Sequence, residues 1–294
     1  MCELDHLAEM DARARGVSRR EFGALGAMAA LAACGVSEEV QAQGGLTERD
    51  VSFDAPGGTL DGFFVHPATG KSPAVILWPD IAGLRDAKKV MARRLAGSGY
   101  AVFVPNPFYR SEPAPQFEDF EDFRDNGGFQ KVGPWMAQNT HENVVETART
   151  IVAWLDRQDA VDTAKGIGTQ GYCMGGPFTV RTAFAVPDRV KAAASFHGGG
   201  LVTNQQNPDD PNLPIKLLPQ TQASYLFAIA QNDDARAPAE KDQLKAAAEA
   251  AGRPAEIEVY KGDHGWTVPD SPVYNQAEAD RAWERLLALY GTAL

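Results

Sequence analysis

One α/β domain on a mostly parallel sheet is predicted, and three observations predict it. Residues 74–78 (Ala-Val-Ile-Leu-Trp) and 101–104 (Ala-Val-Phe-Val) are uninterrupted apolar runs, as expected of strands covered on both faces. Stretches of helical period separate these runs and the later ones, which gives the strand–helix alternation of a parallel sheet. Third, Gly171-Tyr172-Cys173-Met174-Gly175-Gly176 follows a short apolar run and precedes a helical stretch. A Gly-x-nucleophile-x-Gly frame of this kind suits a strand-to-helix elbow, where bulky flanks would collide with adjacent chain.

The first 45 residues read as a leader and linker, and 46–294 as a single domain. Ser18-Arg19-Arg20-Glu21-Phe22 is a twin-arginine pattern, and the apolar run 23–33 has the length of a signal h-region. Leu31-Ala32-Ala33-Cys34 resembles a lipoprotein cleavage box, which would make Cys34 a lipid anchor, while Val40-Gln41-Ala42 is a competing site for ordinary cleavage. The expectation is a bacterial exported protein, periplasmic or lipid-anchored to the envelope. No run of 18 apolar residues is available to span a bilayer.

Within the domain, 51–54 and 60–65 are short strands around a turn at Ala55-Pro56-Gly57-Gly58. The 74–78 strand leads to a helix over 85–96, with Val90, Met91 and Leu95 as its apolar face and charges opposite. After the 101–104 strand, residues 106–140 break the rhythm; they are rich in Pro, Asp, Glu and Phe. Two readings stand there: an insertion shaping a pocket mouth, or a solvated connector with Phe117, Phe120 and Phe123 packed down. Helices at 143–155, 177–185, 239–250 and 276–290 then alternate with strands at 165–169, 190–196, 225–230 and 255–260.

Composition narrows the function classes. A net charge of -11 leaves nothing to neutralise phosphates, so nucleic acid is not an expected partner. Cysteine occurs at 2, 34 and 173 alone, and leader processing leaves Cys173 as the free thiol of the domain. A disulfide within the mature domain and a four-cysteine zinc site are thereby excluded. Neither a Gly-rich phosphate loop nor an H-E-x-x-H helix is present, so no cofactor or metal is expected, and the acidic run 118–122 reads as a solvated helical face. Monomer and small homo-oligomer both stay open.

Ligands of such sheets sit beyond the carboxyl ends of the strands. Cys173 follows one predicted strand, Asp233 and Asp234 another, and His264 a third, in Gly262-Asp263-His264-Gly265-Trp266. Nucleophile, acid, histidine is the chain order of α/β-hydrolases, and that fold is expected. A thiol is mostly protonated near neutral pH and needs an adjacent base, here His264, whose tautomer a carboxylate would fix. Aligning the strand favours Asp233 as that carboxylate, whereas counting back from Pro238 favours Asp234; the strand end is the firmer support, so Asp233 is taken. Oxyanion donors are expected from the backbone N–H groups of Met174 and of Ile81, in the loop after Trp78. His197, after the 190–196 strand, either lines the pocket or is a structural histidine bonded to backbone.

From about residue 50 onward the chain resembles the dienelactone hydrolase family, thiol hydrolases of the α/β-hydrolase fold. The resemblance rests on the 171–176 elbow, on the 262–266 loop, and on Asn106-Pro107-Phe108-Tyr109-Arg110. It implies a small-molecule ester or lactone substrate, with Arg110 as a substrate-binding arginine and with Tyr172 and Trp266, inside the motifs, also at the substrate. It further implies an acid that contacts the resting thiol. In Trp78-Pro79-Asp80-Ile81-Ala82-Gly83 that acid is Asp80, one carbon shorter than the family's usual Glu. A second carboxylate-binding arginine, four residues after the histidine, is replaced by Val268. The expected function is hydrolysis of an ester or lactone through an acyl-cysteine. A ligand-binding protein with a weak triad is the alternative.

Overall fold

The computed structural model describes residues 45–203, 207 and 209–294. The twin-arginine pattern, Cys34 and both cleavage sites lie outside the described residues. Eight strands form one sheet in the order β1-β2-β4-β3-β5-β6-β7-β8. β1 (Leu46–Ala55) and β2 (Gly58–Pro67) are the expected hairpin, longer than the apolar pattern indicated. Their outer residues are polar because this edge is half solvated, and the alternation fades there. β1, β2 and β4 pair antiparallel. β3 (Ala74–Trp78), β4 (Ala101–Pro105), β5 (Ile167–Tyr172), β6 (Val190–Phe196), β7 (Ser224–Ala230) and β8 (Ala255–Tyr260) run parallel. All six of these strands therefore end at one rim.

Side-chain alternation along the strands builds two cores. Ala74, Ile76, Trp78 and Phe103 face one side; Val75, Leu77, Val102 and Val104 face the other. Helices α4 (His141–Leu155), α5 (Gly176–Ala185) and α8 (Glu240–Ala250) cover the first side. Helices α1 (Asp86–Gly97) and α9 (Gln276–Ala293) cover the second. The α/β-hydrolase architecture expected from the element pattern is the one observed.

One local expectation is corrected, and one left open is filled in. In α1 the buried face is Lys88, Ala92, Leu95 and Ala96, while Val90 is 44% exposed. Positions i, i+4, i+7 and i+8 share one face, and Lys88 can join it because a carboxylate, described below, takes its charge. The insertion 106–140 carries α2 (Phe120–Asp125) and α3 (Gly128–Met136). Phe117 and Phe123 stack edge to face at 5.1 Å and Phe123 lies 4.7 Å from Phe129, so the aromatic face is packed down. Phe120 nevertheless reaches the cavity described next, so both readings hold in part. Two short helices complete the fold, α6 (Pro214–Leu217) and α7 (Gln231–Arg236). Among the described residues no helix is long and apolar enough to cross a membrane.

Candidate active site

β5 ends at Tyr172, and the chain turns through a 3₁₀ turn, Cys173–Gly175, into α5. Cys173 takes φ 52°, a left-handed conformation that a side chain adopts only where its surroundings enforce it. The enforcement is visible at the flanking glycines. A Cβ on Gly171 would lie 2.0 Å from the Gly175 carbonyl oxygen, and one on Gly175 would lie 2.5 Å from that of Pro79. Only glycine lets the turn close this tightly. Met174 follows in the first helical turn, where N–H groups lack intrahelical acceptors.

His264 lies beyond β8 and is buried. Its backbone N–H donates to Asn232 Oδ1 at 2.9 Å, and the Gln231 N–H donates to the Gly262 carbonyl at 3.0 Å, so the start of α7 holds the histidine loop. His264 Nδ1 donates to Asp233 Oδ2 at 2.7 Å, and the imidazole also interacts electrostatically with Cys173. Burial opposes a charge on His264, but the Cys173 thiolate and Asp233 outweigh it and hold the imidazolium well above the ordinary histidine range. The Asp233–Asp234 ambiguity resolves geometrically. Both sit in α7, where neighbours diverge by about 100° around the axis, so one faces His264 and the other turns to Lys241.

The cavity beside Cys173, about 290 Å³ of open cleft, is lined by Ile81, Phe120, Val268, His197, His264 and Asp80 among others. Ile81 is held by its neighbours: Asp80 accepts the Ala82 N–H through Oδ1 and the Gly83 N–H through its carbonyl. The Asp80 carboxylate faces α1. Arg85 donates to both its oxygens, at 2.7 and 3.1 Å, and the Lys88 ammonium sits 2.7 Å from Oδ2. Burial alone would raise the Asp80 carboxyl, but the two cations reverse this and hold it well below the usual carboxylate range. Asp80 and Cys173 line the same cavity, and the Asp80 carboxylate is engaged there by the two cations of α1. Arg85 also grips Asp270 twice, at 2.6 and 2.8 Å, and Asp270 accepts the Phe120 N–H at 3.0 Å. One buried guanidinium thus joins the loop after β3, the insertion and the histidine loop around the cavity.

Three residues expected at the substrate are not brought to the cavity. Arg110 donates to Thr147 Oγ1 at 2.9 Å and to the Asn143 carbonyl at 3.3 Å, and stacks on Tyr109 at 4.7 Å, so it braces α4 and the hairpin turn. Tyr172, one residue before the nucleophile position, points to the opposite sheet face. There its hydroxyl accepts from Gln170, its ring stacks on Phe196 and Lys88 lies 4.6 Å above it. Trp266 is wholly buried and stacks on Tyr260 at 5.3 Å, as packing beneath the histidine loop. Conversely, His197 does line the cavity, and Asn232, Arg85, Lys88 and Asp270 were missed. Lys88 had a signal, its i+4 and i+7 relation to Ala92 and Leu95; Asp270 had none, because its partners are remote in sequence. Among the described residues no group of three or more His, Cys, Asp and Glu is arranged to hold a metal.

The dienelactone hydrolase family model matches residues 60–294. The chain belongs to that family. It is a family of hydrolases, and its members' similarity to this chain is broad but low. A candidate carboxymethylenebutenolidase of Salmonella typhi is 24% identical over 254 residues, 84% of this chain and 89% of that protein. One of Synechocystis sp. is 26% identical over 238 residues, 80% of this chain and 92% of that protein. Among solved structures, a dienelactone hydrolase candidate of Klebsiella pneumoniae aligns with TM-score 0.69 at 23% identity, covering 84% of this chain and 98% of that one. A dienelactone-hydrolase-like promiscuous phosphotriesterase from metagenomic libraries aligns with TM-score 0.67 at 20% identity, covering 85% and 99%. At these identities the structural likenesses speak to the family's fold, and the chemistry of this member has to be argued from its own residues.

Proposed function

We propose that this family member hydrolyses a neutral carboxylic ester or lactone through an acyl-Cys173 intermediate. The observation that carries the reading is the left-handed Cys173 at a strand end, coupled electrostatically to a histidine that Asp233 orients. The resting pair is thiolate and imidazolium, because the same interaction that raises His264 stabilises the sulfur's charge. Thiolate attacks the carbonyl carbon, and the oxygen's charge is met by the N–H groups of Met174 and Ile81. Collapse breaks the carbon–oxygen bond, and His264 gives its proton to the leaving alkoxide. His264 then takes a proton from the water that attacks the thioester, and thiolate and imidazolium are restored as the acid departs. Asp80 has no part in these proton transfers, since Arg85 and Lys88 hold its charge.

The carboxylate of Asp233 stabilises the His264 cation and fixes the ring's orientation, so Asp233→Asn should lower kcat by about 10²-fold or more. Asp234→Asn, which frees only Lys241, should stay within a few-fold of wild type. Equal losses in the two variants would move the acid's role off Asp233. Steady-state kinetics on an activated ester measures both.

Neutrality of the substrate follows from the cavity wall. Ile81, Phe120 and Val268 are apolar, and among the described residues no Lys or Arg lines the cleft. An acyl group carrying a carboxylate would be desolvated against this apolar wall with no lysine or arginine to receive it. A short neutral p-nitrophenyl ester should therefore exceed its anionic hemiester counterpart in kcat/KM by about tenfold or more. Val268→Arg should narrow that gap, and Arg110→Ala should affect both esters alike. Preference for the hemiester, or a loss on Arg110→Ala confined to it, would overturn this substrate class.

A further inference from the structure

Two non-glycine residues among those described have positive φ, Cys173 at 52° and His197 at 41°. They stand at the ends of adjacent strands, one residue past the paired Tyr172 and Phe196. Strained backbone of this kind persists only where its surroundings over-determine it, and it clusters at functional sites. The two residues are joined: the Cys173 N–H donates to His197 Nδ1 at 3.2 Å. A backbone N–H can only donate, so Nδ1 is the bare nitrogen and the ring proton is on Nε2. Nε2 lies 3.1 Å from Thr267 Oγ1 and donates to it. Thr267 is three residues past His264, on the same loop.

The imidazole of His197 therefore spans from the nucleophile elbow to the histidine loop. Its ring centroid is 4.8 Å from that of His264, and the backbone N–H of His197 donates to the Ala228 carbonyl of β7 at 2.8 Å. We propose that His197 is a positioning residue which sets the separation of Cys173 and His264, working as a neutral Nε2–H clamp between the Cys173 N–H and Thr267. The proposal rests on Cys173 being the nucleophile and His264 its base. The clamp works in one protonation state only, because a proton on Nδ1 would set a donor against the Cys173 N–H. Burial and the neighbouring His264 cation keep the ring neutral; Lys88 acts in the same sense, and Asp233 and Asp80 oppose it. A histidine suits both contacts at once. Asparagine at 197 places an acceptor near the Nδ1 position and tolerates positive φ, but is too short to reach Thr267.

The test is a double-mutant cycle in the full chain, read as kcat and KM on a neutral activated ester. The ultraviolet absorbance of the thiolate against pH and the melting temperature are followed in parallel. Thr267→Val should lower kcat about tenfold with KM little changed, the worth of one neutral hydrogen bond. Thr267→Ser should restore it, and His197→Asn should match Thr267→Val. The double variant should be no worse than His197→Asn alone, because the contact is already lost there. His197→Leu, which removes both contacts, should lose about a hundredfold. The pH at which thiolate appears should move upward in Thr267→Val, as the imidazolium loosens from the sulfur. A silent Thr267→Val, additive losses in the double variant, or losses that track melting temperature rather than kcat would overturn the clamp. Cys173→Ala is assayed alongside. Turnover by that variant strikes the nucleophile reading, whereas a silent Thr267→Val with Cys173→Ala inactive strikes the clamp alone.

Discussion

Cys173→Ala is expected to reduce kcat on an activated ester by about 10⁴-fold or more, with substrate binding retained. The size follows from what remains. Without the sulfur no covalent intermediate forms, and the Met174 and Ile81 N–H groups can only polarise a carbonyl for attack by water. Cys173→Ser is expected to fall between the two. A serine hydroxyl fits the same elbow, whose flanking glycines are unchanged, but it does not ionise against His264 as a thiol does. Removal of His264 should lose the thiolate absorbance at neutral pH, because the imidazolium is what stabilises it.

The second large effect is on stability. Asp80 balances two wholly buried cations, Arg85 and Lys88, and only Arg85 has a second carboxylate, Asp270, to fall back on. Asp80→Ala leaves an ammonium in the core with its nearest counter-ion gone, and should cost about 3–5 kcal/mol in urea unfolding. Adding Lys88→Met should recover part of that loss, since it removes the uncompensated charge. A double variant as unstable as Asp80→Ala would place the cost elsewhere. The pH dependence has a definite sign. The folded-state carboxyl of Asp80 is held well below its unfolded value of about 4, so its contribution is complete above that pH and lost only as pH falls further towards the folded value. Between pH 7 and about 5, wild type and Asp80→Ala should therefore keep a constant difference in stability.

How much of this was legible in sequence depends on how local each cause is. Strands β3, β6 and β8 were readable to the residue or nearly so, because burial on both faces or clear bounding turns marks them. The elbow, the histidine loop and their chain order were readable because small residues and one histidine leave local traces. Asp233 and Asp234 could not be separated with certainty, since no strand pattern announces the six-residue helix that aims them apart. The substrate contacts were misplaced for a related reason. Tyr172 and Trp266 lie inside the right motifs, yet strand alternation and the tight loop after Gly262 turn them into the core. Arg110 is recruited by Thr147 and Asn143, more than thirty residues on. The pairing of Asp80 with Arg85 and Lys88 was not legible, because both cations looked like the solvated side of an ordinary helix.

The central claim is that Cys173 carries the acyl group, and it is tested most directly by trapping that group. The chain is mixed with excess activated neutral ester, quenched in acid during turnover, digested, and the peptide containing Cys173 weighed. The expected result is one acyl increment on Cys173, which disappears at the turnover rate once ester is spent and does not form in Cys173→Ala. Turnover with Cys173 unmodified, an acyl group on another residue, or ester bound tightly without any turnover would contradict it.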